Sequence, residues 1–217
     1  QQIISDLTGR RDIQYFQNGV DQKYIDAPIK TKKSPKPSIL FGVSNMKWMQ
    51  NRESVELILN KYWPKIKSEI PECQLYIIGR FAPDFFGKMA NEDLIVAEAD
   101  SDGQKHDPQF YYQHSWLLLA PMGSGGGTRN KFLEGMAFGL PVITNPQGGM
   151  GSIKIENYKH AIVCPDKEIV KNAVKILTDA KYRQKIGASA QKLIKDKYSF
   201  EKGVEGLNQI YESITKK

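Results

Sequence analysis

The sequence has very little cysteine, no long apolar run and no histidine cluster, and each shortage removes a class of protein. Cys73 and Cys164 are the two cysteines in 217 residues. They are too few for a disulfide framework and lack zinc-ligand spacing, so they read as buried thiols beside strands. The longest strongly apolar run, WLLLA at 116–120, falls far short of the roughly 20 residues that cross a bilayer. No charged segment followed by an apolar one marks a signal peptide, and a chain that opens at Gln1 rather than Met is expected to be a fragment or a processed form. A cytoplasmic location follows as the default. His106, His114 and His160 are scattered, with no metal spacing and no serine or cysteine nucleophile motif near them. His160, just before an apolar run, is expected to be structural. Asp100, Asp102 and Asp107 surround Gly103 without the pattern of a calcium loop.

Positive charge is what the chain does have, a formal +7, which favours anionic partners. The excess sits in the stretch KTKKSPKP at 30–37 and in the basic segment 167–217. Neither interleaves bases with aromatics as a single-strand binding groove does, so no nucleic acid is expected. Peripheral contact with an anionic membrane face remains open for the basic closing segment.

Residues 1–37 read as a connector ending in a charged, proline-punctuated linker, with a turn at 18–21. From Ser38 short apolar runs alternate with helical patterns. Strands are expected at 39–43, 75–78, 94–97, 116–120, 141–144 and 161–164. Val55, Ile58, Leu59, Tyr62 and Ile66 mark a helix from about Arg52, with Pro64 placed to kink it. A short helix is expected at 108–114 and another from Thr128 to about Phe138. Three helices close the chain, the last carrying Phe200, Val204, Leu207, Tyr211 and Ile214 as an apolar packing stripe. This is an α/β pattern: a Rossmann-like parallel sheet covered by helices on both faces, spanning 38–217. Ligands of such sheets bind beyond the carboxyl ends of the strands, which singles out the loops after Val43, Ile78, Ala120 and Thr144.

The loop after Ala120 is the most informative. Four of the five residues from Gly123 to Gly127 are glycine, between a strand and a helix, where backbone amides and a helix start suit a phosphate. On the helix that follows, Phe132, Leu133, Met136 and Ala137 form one face, and Asn130, Lys131 and Glu134 the other. Arg129 in the first turn opposes the helix dipole and so invites an anion. Against this stands a plain alternative, that Lys131 and Glu134 form an ordinary surface pair.

The run GGGTRNKFLEGMAFGLPV from Gly125 to Val142 resembles the signature of group-1 retaining glycosyltransferases with the GT-B fold. Asn18-Gly19-Val20-Asp21, Trp48-x-x-Asn51, Trp63-Pro64, Ile78-Gly79-Arg80 and the segment from Asp179 to Phe200 agree with it. The resemblance implies the C-terminal, donor-binding half of an enzyme that moves a sugar from a UDP- or GDP-linked donor. The acceptor, a sugar, a lipid-linked sugar or a polysaccharide, would be held by the protein's own N-terminal domain, with no metal and no cofactor needed. It implies that Glu134 bonds the ribose hydroxyls and that Gly125, Gly126, Gly127 and Thr128 meet the diphosphate or donor sugar. It places Arg80 and Phe81 near the base, brings Ser44 and Asn51 into the donor site, and sets the loop 147–151 at its border. Arg129 and Lys131 are the cations expected to act in catalysis. Two departures stand out. Gly126 occupies the place where many members have a first glutamate, and Asn45 and Gln50 stand where many have an arginine and a lysine, so Arg129, Lys131 or Lys47 would replace that pair. A non-catalytic nucleotide-binding or partner-docking module stays open as an alternative. A Rossmann oxidoreductase is disfavoured, because the glycine loop follows a middle strand and no G-x-G-x-x-G follows Val43.

Overall fold

A computed structural model of the chain describes residues 2–11, 13, 18–27, 34–99, 108–123, 130–151 and 153–215. Six strands form one sheet, β1 Ser38–Leu40, β2 Gln74–Ile78, β3 Leu94–Ala97, β4 Leu117–Leu119, β5 Val142–Thr144 and β6 Ile162–Val163. All neighbours are parallel and their order is β3-β2-β1-β4-β5-β6. That is the doubly wound order of a Rossmann-like fold, with its reversal between β1 and β4. In the register Ile39 lies between Leu75 and Leu117. Every residue of β1, β4 and β5 is buried, as the near-continuous apolar runs require of strands covered on both faces.

The helices in chain order are α1 Gln2–Thr8, α2 Gln22–Ile25, α3 Met49–Leu57, α4 Trp63–Glu69 and α5 Ala82–Phe86, then α6 Pro108–His114, α7 Asn130–Ala137, α8 Asp166–Thr178, α9 Ala180–Lys197 and α10 Phe200–Thr215. Between α3 and α4 the chain widens into a π-helical turn, Ile58–Tyr62. This is the form the expected disturbance at Pro64 takes: proline at the start of α4 has no N–H to offer the preceding turn, and the helix absorbs the loss by loosening one turn. Helix α5 was not foreseen. It begins after Phe81, a non-glycine residue at φ 64°.

Two more expectations are corrected. Residues 18–21 form no simple turn: Gly19 lies against the Phe200 backbone, Val20 bridges to Ser199, and the Asp21 carboxylate accepts from Lys23 N–H at 3.0 Å to cap α2. Val20 and Tyr24 are buried with the residues of the sheet. The closing stripe on α10 is also not covered. None of its described side chains is buried, and Phe200, Val204, Tyr211 and Ile214 are exposed. An apolar stripe reports that a helix has a face to cover, and not what covers it. Cys73 and Cys164 are free and buried, as expected, and burial pushes the Cys73 thiol up to about 12. Among the described residues, no helix is long and apolar enough to cross a membrane.

Candidate donor site at the strand ends

The site forms where β1 and β2 end and α7 begins. Gly79 closes β2 at φ 152°, and a Cβ there would fall 1.9 Å from the Ser44 carbonyl oxygen. Only a glycine lets the two loops touch. Arg80 C=O then accepts from Met46 N–H at 2.9 Å, which fixes the β1 loop against the β2 loop. Gly42, at φ 98°, brings the same loop close to the stem of Lys131. Beyond these strand ends lies a cavity of about 230 Å³ lined by Val43, Ser44, Asn45, Arg80, Lys131 and Glu134, among others. Among the described residues, the buried Ser44 Oγ has no hydrogen-bond partner. Next to it a larger cavity of about 460 Å³ opens between the 19–24 segment, α7 and the start of α10. Glu134 lines both.

Within α7, Lys131 is 9% exposed, which corrects the surface-pair alternative. Its ammonium group stands 3.9 Å above the centre of the Phe41 ring and donates to Asn51 Oδ1 at 3.1 Å. Asn51 in turn donates its Nδ2–H to the Asn45 carbonyl at 2.9 Å. A cation on α7 is thereby pinned over the end of β1, beside the cavity. Glu134 does not depend on Lys131 for its hydrogen bond; the buried Tyr112 hydroxyl donates to its Oε2 at 2.6 Å. Burial pushes the Glu134 carboxyl up from the ordinary value, while the Tyr112 hydrogen bond and the charges of Lys131 and Lys23 hold it down. Burial, then the Glu134 charge, pushes the Tyr112 hydroxyl well above its usual range.

Of the residues singled out from sequence, Ser44, Asn51, Arg80, Lys131 and Glu134 are gathered at or beside the smaller cavity. Phe81 is half-buried beside it, with the Lys47 ammonium 4.0 Å from its ring centre and the Arg80 guanidinium 5.7 Å away. Gly125, Gly126, Gly127, Thr128 and Arg129 lie outside the described residues, as do Asp100, Asp102, His106 and Asp107. The loop after β5 is held by Asn145, whose Oδ1 accepts from Met122 N–H and Gly148 N–H, each at 2.9 Å. Its Nδ2 donates to Met122 C=O at 2.9 Å and to Asp166 Oδ1 at 3.2 Å. His160 Nδ1 accepts from Glu156 N–H at 3.0 Å, a structural use. His114 stacks on Phe110. Among the described residues no three His, Cys, Asp or Glu side chains are grouped to hold a metal ion.

Tyr112 and Asn145 were missed from sequence. Tyr112 reads as one more aromatic on a short helix, and Asn145 as a loop residue after a strand. Nothing along the chain tells where a buried hydroxyl or amide will end.

The family of glycosyl transferases group 1 matches residues 36–179. The chain belongs to that family. Relatives of this group 1 domain agree. An uncharacterized glycosyltransferase of Methanocaldococcus jannaschii, MJ1178, is 28% identical over 108 residues, 49% of this chain and 30% of that protein. A variant of S. aureus TarM, in complex with fondaparinux, alpha-GlcNAc-glycerol and UDP, superposes with TM-score 0.71 at 15% identity over 97% of this chain and 41% of its own. Anabaena HepE in complex with UDP-glucose gives TM-score 0.67 at 14% identity over 100% of this chain and 61% of its own. The C-terminal domain of a group 1 glycosyl transferase (LpcC) from Francisella tularensis gives 0.59 at 16% identity, over 84% of this chain and 100% of that domain. The fold is that of GT-B glycosyltransferases. The chain spans less than two thirds of MJ1178, TarM and HepE.

Proposed function

We propose that this chain is the donor-binding domain of a retaining, metal-independent glycosyltransferase that moves a sugar from a UDP- or GDP-linked donor to an acceptor held by a second, N-terminal domain. The observation that carries this reading is a pair of ionisable groups on α7, Lys131 buried and Glu134 half-buried. Lys131 and Glu134 are both turned to the cavity at the topological switch of the sheet, where α/β folds bind nucleotides. A carboxylate accepts from the two hydroxyls of a ribose, and a desolvated ammonium group faces a diphosphate with little screening. Lys131 and the amino end of α7 then oppose the charge that grows on the departing diphosphate, which is electrostatic stabilisation of the transition state without a protein nucleophile. Arg80 and the Lys47–Phe81 stack flank the place for the base. Arg129, the amides of Gly125–Gly127 and Thr128 complete the proposed site. The UDP and UDP-glucose held by TarM and HepE support a nucleotide-sugar donor here.

The isolated chain is expected to bind donor weakly and to transfer slowly, since the acceptor side is supplied by the other domain. Calorimetry with UDP- and GDP-sugars, and transfer assays on the complete protein, test the reading. Glu134→Ala should weaken donor binding at least tenfold, roughly the worth of a charge-assisted hydrogen bond. Unchanged binding and turnover in that variant would falsify it.

A further inference from the structure

We propose that Tyr112 is a positioning residue for the donor site, its hydroxyl aiming the Glu134 carboxylate and tying it to the backbone of the β1 loop. The inference rests on Glu134 being the carboxylate that grips the donor.

The geometry is a two-step relay. Val43 N–H donates to Tyr112 Oη at 3.3 Å, and Tyr112 O–H donates to Glu134 Oε2 at 2.6 Å. The tyrosine is fully buried, and its ring stacks on Phe138 with centroids 5.5 Å apart and planes 6° apart. Its hydroxyl therefore has a fixed position. A glutamate side chain on a helix otherwise turns freely about its last bond. One short bond to Oε2 removes that freedom and leaves Oε1 for an incoming hydroxyl. The same relay joins three parts of the site, since Val43 belongs to the loop of Ser44 and Asn45, Tyr112 to α6 and Glu134 to α7. Other charges face the carboxylate as well. Lys131 lies on its own helix, Lys23 comes from α2, and Asp21 and Glu201 line the larger cavity with it. Arg80 lines the smaller one. Tyr112 gives Glu134 a direct hydrogen bond of 2.6 Å.

Tyr112→Phe keeps the stacked ring and removes the hydroxyl, leaving Glu134 Oε2 and Val43 N–H without this partner. Two measurements on the chain test the idea. In a carboxyl NMR titration without ligand, the Glu134 midpoint should move to higher pH in Tyr112→Phe, because a hydrogen bond to its charged form is gone. In calorimetry with UDP-glucose and GDP-mannose, the better-bound probe should weaken about tenfold, as expected for a lost bond to a charged group. Glu134→Asp keeps the charge but withdraws it from the hydroxyl, and should lose affinity to a similar degree. Adding Tyr112→Phe to Glu134→Ala, which removes the acceptor, should cost nothing further, since both act through one interaction. An unmoved midpoint, wild-type affinity in Tyr112→Phe or Glu134→Asp, or full additivity in the double variant overturns the proposal while leaving the donor site standing. Wild-type affinity in Glu134→Gln, or binding of neither probe by the unmutated chain, removes the donor site itself.

Discussion

At the scale of single residues, glycine and the buried ionisable groups decide most. Gly79→Ala puts a methyl group onto the Ser44 backbone at a φ that L residues rarely adopt. It should destabilise the chain by about 3 kcal/mol or more in urea unfolding. Gly206, in the middle of α10 with open space around its Cβ position, is the contrast: Gly206→Ala should stabilise by roughly 0.5–1 kcal/mol. Glu134 carries a pH signature. Its carboxyl lies above the ordinary range through burial, so its charge costs the empty fold stability. That cost is absent below the unfolded-state value and is incurred as pH rises through the raised one. Glu134→Gln should therefore melt at a higher temperature than the wild type at neutral pH while binding donor worse. By the same shift, wild-type affinity for a nucleotide sugar should fall as pH drops from neutral into the mildly acidic range, and calorimetry on Glu134→Gln should find the profile flat.

At the scale of elements, the strand-end loops are held by polar side chains that cross between them. Asn145 makes four such bonds and joins the loops after β4 and β5 to α8. Ser54 on α3 donates to the Pro121 carbonyl in the same region. Asn145→Ala leaves two backbone N–H groups and a carbonyl without that partner in a buried place, and should cost about 3 kcal/mol by denaturant unfolding. Lys131 differs in kind. Its ammonium group is buried over an aromatic ring, and Lys131→Met keeps the volume, so folding stability should stay within about 1 kcal/mol of wild type. Donor affinity should nevertheless drop tenfold or more. A variant that loses binding and stability together would show that the lysine serves packing rather than a diphosphate.

At the scale of the whole molecule, the sheet and its closing helices differ in how deeply they are covered. The central strands β1, β4 and β5 are buried throughout, whereas α10 leaves its apolar side open. Hydrogen exchange should therefore be slowest in the central strands and in α7, and fast along α10. The net charge of +7 adds a long-range pull on an anionic donor, so donor affinity should decline with added salt.

The amino-acid order by itself determined the parallel α/β sheet, because short apolar runs separated by helical patterns leave few other ways to bury both strand faces. It also pointed to the helix after the glycine loop, since Lys131 and Glu134 share a polar face that repeats at helical spacing. It left open what that face does: the pattern also allowed a solvated pair, whereas the folded chain buries Lys131 beside the β1 loop at Gly42 and gives Glu134 a tyrosine from another helix. Only the tertiary structure decided that Tyr112 meets Glu134, that Asn51 reaches Lys131 and that no described side chain of α10 is buried. The reason is physical. Periodicity reports which side of an element avoids water, while hydrogen bonds between residues far apart in the chain exist only once packing brings their atoms within about 3 Å.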